Sequence, residues 1–109
     1  MGYKKFKIQG KWNINDHAVV RFRQRVDPNI KRGPRRDIQR KIASALNAVN
    51  PDEIIYQSRE VIYPVYFSYK GRDYGPYYCV APSHEPNSIV TLLSELRIKP
   101  GSRSLEDRI

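Results

Sequence analysis

The stretch PRRDIQRKIASALNAVNP, residues 34–51, decides the fold because it has the clearest periodicity in the chain. Its apolar side chains recur at the spacing of one side of a helix: Ile38, Ile42, Ala45, Leu46 and Val49. Pro34 suits the first helical turn, where its missing N–H is not needed. Asn50-Pro51 ends the helix, because the residue before a proline avoids the helical region. The stretch therefore predicts an amphipathic helix with one buried side.

A first helix is predicted upstream, from His17 to about Val26. Asn15-Asp16 offers an N-cap, and Asp27-Pro28-Asn29 ends the helix. The buried stripe has helical spacing: Ala18, Val19, Phe22 and Val26.

The chain after Pro51 is typical of β-structure, because it is rich in β-branched and aromatic residues. Four strands are predicted: Glu53 to Gln57, Val61 to Tyr69, Asp73 to Ala81 and Ser88 to Leu93. A short edge strand is expected near Tyr3, Phe6 and Ile8. The prediction is an α+β fold with two N-terminal helices packed on an antiparallel sheet of about four strands. We expect residues 1–98 to form one domain and residues 99–109 to be a flexible polar tail.

Strand alternation divides the tyrosines between the two faces of the sheet. Tyr63 and Tyr69 are expected on one face and Tyr66 on the other. In the next strand, Tyr74 and Tyr78 are expected to share one face, opposite Tyr77. Exposed tyrosine rings are platforms on which unpaired bases stack. Cross-strand tyrosine pairs that only stabilise the sheet are the alternative.

Positive charge is concentrated in the first half of the chain, whose net charge over all 109 residues is +9. Residues 1–50 contain 13 Lys/Arg and three Asp/Glu, whereas residues 51–109 contain seven and eight. Such a cationic half attracts polyanions. Nucleic acid is therefore the first partner to test, and an anionic membrane surface or an acidic protein is the alternative.

Several classes of protein are disfavoured by the composition. No apolar run approaches the roughly 20 residues that cross a bilayer, and no secretory signal pattern is present. The single Cys79 forms no internal disulfide. There is no glycine-rich phosphate loop, paired-carboxylate metal motif or zinc spacing. We expect a cytoplasmic protein without membrane contact, metal or other cofactor.

The sharpest candidate site is on the first helix, where His17, Arg21 and Arg25 are four residues apart and share one side. Arginine holds phosphate oxygens through paired hydrogen bonds, and histidine transfers protons near neutral pH. Metal-free RNA cleavage needs both properties. A helix with a capping histidine and solvated arginines is the alternative.

His84, in the loop Pro82 to Asn87, is the other histidine of the chain. A loop that returned to the first helix would pair His84 with His17 as acid and base. A solvent-exposed histidine is the alternative. The candidate catalytic residues are His17, Arg21 and His84, and the candidate nucleic-acid-binding residues are Arg25, Arg36, Arg40, Arg59, Tyr66, Tyr78 and Thr91.

The combined pattern resembles a known family of nucleases. It consists of a helix opening His17-Ala18 with Arg21, a second amphipathic helix, the segment 50–55, Arg59, and the final run 89–93. From about Asp16 to Leu93 this is similar to the small RelE-like ribonuclease toxins of the barnase–colicin–RelE group. The resemblance implies that His17 and Arg21 line an active cleft to which Arg59 and Thr91 contribute. Whether an antitoxin is a partner stays open.

The sequence thus predicts an RNA-binding, metal-independent endoribonuclease of the toxin type. The alternative is a non-catalytic nucleic-acid- or nucleotide-binding protein of phage or mobile-element type, such as a host-defence antagonist. The expected partner is RNA or another phosphate-rich ligand. A host protein and a homodimer remain open as further partners.

Overall fold

The computed structural model describes residues 12–30 and 32–96, and they form an α+β fold. The predicted strand near Tyr3 and the predicted tail from residue 99 lie outside these residues. In chain order the elements are β1 (Asn13–Ile14), α1 (Asp16–Arg25), α2 (Arg35–Asn47), a 3₁₀ turn (Pro51–Glu53), β2 (Ile55–Tyr56), β3 (Glu60–Tyr69), β4 (Arg72–Pro82), β5 (Ser88–Ile89) and β6 (Thr91–Leu93).

The main sheet is antiparallel with the strand order β2-β3-β4-β6, and both helices pack on one face of it. α2 lies over β3, and α1 lies over β6. Between helices and sheet, the ring of Phe22 meets the ring of Phe67 edge to face, with centroids 5.2 Å apart. Two helices on a four-stranded antiparallel sheet confirm the predicted α+β class.

The helices follow the sequence signals closely. The Asn15 side chain accepts a hydrogen bond from the Ala18 amide at 3.1 Å, and this cap starts α1 one residue before the predicted position. Pro34 caps α2, and the apolar side of α2 is buried as the periodicity predicts. The fully buried positions of α2 are Ile38, Ile42 and Leu46.

The prediction of a single final strand from Ser88 to Leu93 is wrong, because the chain changes partner at Val90. β5 pairs in parallel with β1, whereas β6 pairs with β4. At the change, the Val90 amide donates to the carbonyl of Val80 at 2.9 Å. The result is a second, two-stranded parallel sheet that the apolar run did not indicate.

The face predicted for Tyr74 is also wrong. Val65 pairs with Tyr77 and Phe67 pairs with Tyr74, so β4 has one more residue than β3 over this step. The extra residue reverses the alternation, and both Tyr74 and Tyr77 pack against the core. Gly75 lies in this step with φ +139°, a backbone conformation that side chains disfavour.

We predict that Gly75→Ala destabilises the fold more than Gly71→Ala. Both glycines have positive φ, but a Cβ at Gly75 would lie 2.8 Å from the Val65 carbonyl oxygen, whereas nothing lies within 4 Å of one at Gly71. We expect urea unfolding to show losses of about 3 and about 1 kcal/mol, respectively. Equal losses of stability in the two variants would contradict the close approach of Gly75 to the Val65 carbonyl oxygen.

Tyr63 connects β3 to the loop after β4. Its hydroxyl donates to the Pro86 carbonyl at 2.6 Å. The Trp12 ring stands edge-on to the Tyr63 ring at 5.3 Å, and the Trp12 indole N–H donates to the Asn47 side chain at 2.8 Å. The loop, β3 and α2 are therefore joined through two aromatic side chains.

We predict that Tyr63→Phe lowers the free energy of unfolding by about 1 kcal/mol at pH 8, because the Pro86 carbonyl loses its donor. Burial raises the pKa of Tyr63 above its usual value of 10.0. The contribution of Tyr63 is therefore fully present below about pH 10 and decreases at higher pH, where the unfolded chain ionises first.

The measurement is urea unfolding at about pH 8 and pH 11, with Tyr66→Phe as the control because Tyr66 is half exposed. The difference between the parent chain and Tyr63→Phe should shrink by about 1 kcal/mol at the higher pH. An unchanged difference would show that the Tyr63 hydroxyl is not held in a buried contact.

Candidate nucleic-acid interface

The helical layer has a large excess of positive charge. Residues 12–30 and 32–50 contain eight Lys/Arg and three Asp, a net charge of +5. Within the described part of the chain, the two ion pairs are Arg35 with Asp16 and Arg40 with Asp37, and all four side chains are largely exposed. Exposed pairs of this kind interact weakly. Most of the positive charge is therefore available to an external anion.

Three cations of this layer are held in place by neutral carbonyl groups. Arg23 donates to the Gly33 carbonyl at 3.1 Å, and Arg25 donates to the Leu92 carbonyl at 2.7 Å. Lys41 Nζ donates to the carbonyls of Ile30 and Arg32 at 3.1 and 3.3 Å. A carbonyl fixes a cation without cancelling its charge. Arg25, a predicted phosphate ligand, thus uses one guanidinium nitrogen to join α1 to β6.

The structure brings two of the candidate catalytic residues together. His17 Nε2 accepts a hydrogen bond from Arg21 Nε at 3.3 Å, and Arg21 Nη1 donates to Gln24 Oε1 at 2.7 Å. The Arg21 guanidinium therefore lies beside the His17 imidazole. His17 is exposed at the start of α1, so a ligand has access to the pair.

His84 lies in the turn after β4. At the start of this loop, the Ser83 amide donates to the Arg59 carbonyl at 3.0 Å; at its end, the Asn13 amide donates to the Asn87 carbonyl at 2.9 Å, just before α1. No hydrogen bond joins His84 to His17 or Arg21 within residues 12–30 and 32–96. The pairing of His84 with His17 as acid and base therefore stays a prediction.

Three candidate binding residues lie on the face of the sheet that points away from the helices. Tyr66 is one of them, since its neighbours Val65 and Phe67 point into the core. Tyr78 stands opposite Pro64 and Leu93, and Thr91 stands opposite Val80. Paired residues in an antiparallel sheet point to the same side, and Cys79, between Tyr78 and Val80, points into the core under the helices. Tyr78 and Thr91 are therefore separated from the cations of the helical layer by the sheet.

A cleft of about 480 Å³ lies between α2 and the end of β3, and we call it the α2–β3 cleft. β2 pairs with β3 only at Val61 and Ile62, so the edge of β3 has no further partner strand among the described residues. The cleft brings together Arg40 and Tyr66, two of the predicted binding residues. It is lined by Asn29, Ile30, Arg40, Lys41, Ser44, Ala45, Ala48, Tyr66, Phe67, Ser68 and Tyr69.

A second depression, of about 570 Å³, lies at the start of α2, and we call it the α2 groove. Arg40 lines this groove as well as the α2–β3 cleft. Arg36, one helical turn before Arg40, has no hydrogen-bond or ion-pair partner in the parts of the chain that the structure describes. The groove is lined by Pro34, Arg35, Arg36, Asp37, Gln39 and Arg40.

Lys41, Ser44 and Tyr69 were not among the site residues predicted from the sequence. The position of Lys41 beside Arg40 on α2 was the only signal for it. Lys41 lies in the cleft because its ammonium group donates to the Ile30 carbonyl and because β2 ends before it covers this part of β3. Neither the contact nor the end of β2 is indicated by a local sequence pattern.

Other kinds of site are not found in the described part of the chain. There, no group of three His, Cys, Asp or Glu side chains could hold a metal ion, and no helix has the length and apolarity that a membrane span needs. Cys79 is buried, and burial raises the pKa of its thiol, so the reactive thiolate is disfavoured.

Comparisons of the chain with models of protein families, with curated proteins and with solved structures found no match. Function therefore has to be inferred from the geometry and charge of the chain itself.

Proposed function

We propose that this protein binds RNA along one positive surface, formed by the α2 groove and the α2–β3 cleft. The observation that supports this most directly is that Arg40 lines both depressions. The cations at the start of α2 and Tyr69 at the end of β3 therefore border one continuous surface.

The chemistry of this surface suits a phosphate backbone. Phosphate contacts from lysine and arginine supply most of the affinity in sequence-independent binding. Arg36 has no partner among the described residues, and Arg40 has only the exposed contact with Asp37 at 3.6 Å. Each guanidinium therefore loses little when it turns to a phosphate.

We predict that Arg36→Gln and Arg40→Gln each weaken binding of a single-stranded RNA on the order of tenfold, because each removes a charge-assisted phosphate contact. Fluorescence anisotropy over a series of salt concentrations measures this. The slope of log K against log salt should become shallower by about 0.7 for each phosphate that the variant no longer neutralises.

Arg59→Gln is the charge-matched control. Arg59 is exposed like Arg40, but it lies just before β3, at the opposite end of that strand from Tyr69. We expect this variant to bind within about twofold of the parent chain, since it removes the same charge from a distant place. A loss in Arg59→Gln equal to that in Arg40→Gln would mean that net charge, and not this surface, determines binding.

A second candidate function, metal-independent RNA cleavage, is favoured by the contact between His17 and Arg21. Arg35 is paired with Asp16, the residue before His17, and Arg35 also lines the α2 groove. RNA in the groove would therefore lie near the start of α1. In this reaction Arg21 turns to the phosphate and frees His17 Nε2, which takes the proton of a 2′-hydroxyl; the 2′-oxygen attacks phosphorus, and the 5′-oxygen leaves with a proton from water. Arg21 stabilises the charge that develops on the phosphate.

We predict that the purified protein cleaves RNA in the presence of EDTA and that His17→Ala lowers the rate by 100-fold or more, on the order of the loss of one acid–base group. His84→Ala, prepared in the same way, is the control, because no hydrogen bond joins His84 to His17 among the described residues. RNA binding by His17→Ala should be unchanged. Equal cleavage by His17→Ala and the parent chain would exclude His17 from the reaction.

A further inference from the structure

We infer that Lys70 and Arg72, at the turn between β3 and β4, bind phosphates of the same RNA strand that lies on the α2 groove. The inference rests on the proposed RNA binding and extends the RNA surface beyond both depressions. The added part is the end of the β3–β4 hairpin, residues 69–74, which we call the hairpin tip.

The strand pairing directs the hairpin tip to the helical side of the sheet. Tyr69 follows Val65 and Phe67 at alternate positions of β3, and these two residues belong to the core. Tyr69 pairs with Arg72, and paired residues of an antiparallel sheet point to the same side. Arg72 therefore points to the side of the sheet that carries the two helices.

Each cation of the hairpin tip lies over a tyrosine ring. Lys70 Nζ is 5.6 Å from the centroid of the Tyr69 ring. Arg72 Cζ is 6.0 Å from the centroid of the Tyr74 ring. A ring face attracts a cation without cancelling its charge, and neither cation forms an ion pair among the described residues. Both charges are therefore held in position and available to an anion.

The single acidic residue of the hairpin tip is on the opposite face. Asp73 pairs with Ser68 and accepts a hydrogen bond from the Ser68 hydroxyl at 2.7 Å. Ser68 lies between Phe67 and Tyr69, which point to the helical side, so Ser68 and its partner point away from the helices. On the helical side, residues 69–74 thus present two positive charges and no carboxylate.

The α2–β3 cleft connects these cations with those of α2. Tyr69, whose ring carries Lys70, lines the cleft at the end of β3. Arg40 and Lys41 line the cleft on α2, and Arg40 also lines the α2 groove. Positive groups therefore stand on both sides of the cleft. A phosphate backbone that follows the α2 groove and continues over the cleft reaches the hairpin tip.

The hairpin tip suits phosphates better than bases. Tyr69 and Tyr74 are partly buried and pack against the core, and each has a cation over its ring. These rings therefore hold charge and do not offer a free face for stacking. We expect the contribution of the hairpin tip to be the same for oligouridine and oligoadenine, since phosphate contacts carry no sequence information.

The experiment measures binding of a 12-nucleotide oligouridine to the full chain by fluorescence anisotropy over a series of salt concentrations. Lys70→Asn and Arg72→Gln should each lower the affinity about fivefold at about 0.1 M salt. The reason is that the affinity for a single strand varies with salt to the power of about 0.7 for each neutralised phosphate. Each variant should also make the slope of log K against log salt shallower by about 0.7.

Lys70→Asn separates a role in binding from a role in folding. Lys70 and Gly71 form a two-residue turn with φ of 50° and 79°, and Asn-Gly is a sequence that such a turn prefers. We expect this variant to be at least as stable to urea as the parent chain and to bind RNA more weakly. A purely structural role of Lys70 would not give both results.

Arg59→Gln is the charge-matched control, because Arg59 precedes β3 and lies at the end of that strand opposite to the hairpin tip. It should bind within about twofold of the parent chain. Arg40→Gln combined with Lys70→Asn should lose roughly the product of the two separate losses, because one strand contacts both places. Titration at high protein concentration should give one oligonucleotide per chain.

The outcomes separate the inference from the proposed function. Absence of RNA binding by the parent chain would overturn both. If the parent chain binds RNA and Arg40→Gln weakens it, a Lys70→Asn or Arg72→Gln variant that binds like Arg59→Gln would overturn only the inference. Two oligonucleotides per chain, or a combined variant no weaker than Arg40→Gln alone, would show that α2 and the hairpin tip do not share one strand, and would also overturn it.

Discussion

The packing of α2 on β3 is the contact from which the other features of the surface follow. Ile38 and Ile42 have no exposed surface, and Leu46 retains 3%. Because one side of α2 is fully committed to the core, the opposite side, with Arg36 and Arg40, must face solvent. α1 is placed on the same face of the sheet. The positive charge of residues 12–30 and 32–50 is therefore concentrated on the helical side of the sheet.

Unequal strand lengths determine what lies beside that charge. β3 has ten residues and β2 has two, so most of one edge of β3 is left without a partner strand among the described residues. The irregular step between β3 and β4 turns Tyr74 and Tyr77 into the core. Tyr66 stays exposed on the face of the sheet that points away from the helices. The open edge of β3 and the cations Arg40 and Lys41 are brought together by the geometry of a single strand and a single helix.

Local patterns predicted the elements, and long-range contacts determined how those elements meet. The Ile38–Ile42 spacing defines a helix by itself, since burial of one side requires it. In contrast, the run Ser88 to Leu93 has the same apolar character on both sides of Val90. Only its contacts with Asn13 and Val80 show that it divides into two strands.

The candidate site was predictable to a similar degree. The contact of His17 with Arg21 follows from helical spacing, which fixes neighbours four residues apart. The proximity of Arg40 to Tyr66 joins residues 26 positions apart and depends on where β2 ends. The pairing of His84 with His17 depends on the path of a loop, which the structure joins to Arg59 at its start and to Asn13 at its end. The resemblance to RelE-like toxins stays a prediction. The assay for RNA cleavage in the presence of EDTA tests the activity that this resemblance implies.

The most direct measurement is the change in backbone amide chemical shifts when a single-stranded RNA is added to the isotopically labelled chain. We expect the largest changes at Arg36 to Ala48 and at Tyr66 to Tyr69, because these segments line the α2 groove and the α2–β3 cleft. Changes concentrated at Tyr78 and Thr91, or around Arg59 and His84, would contradict the assignment of RNA binding to the helical side of the sheet.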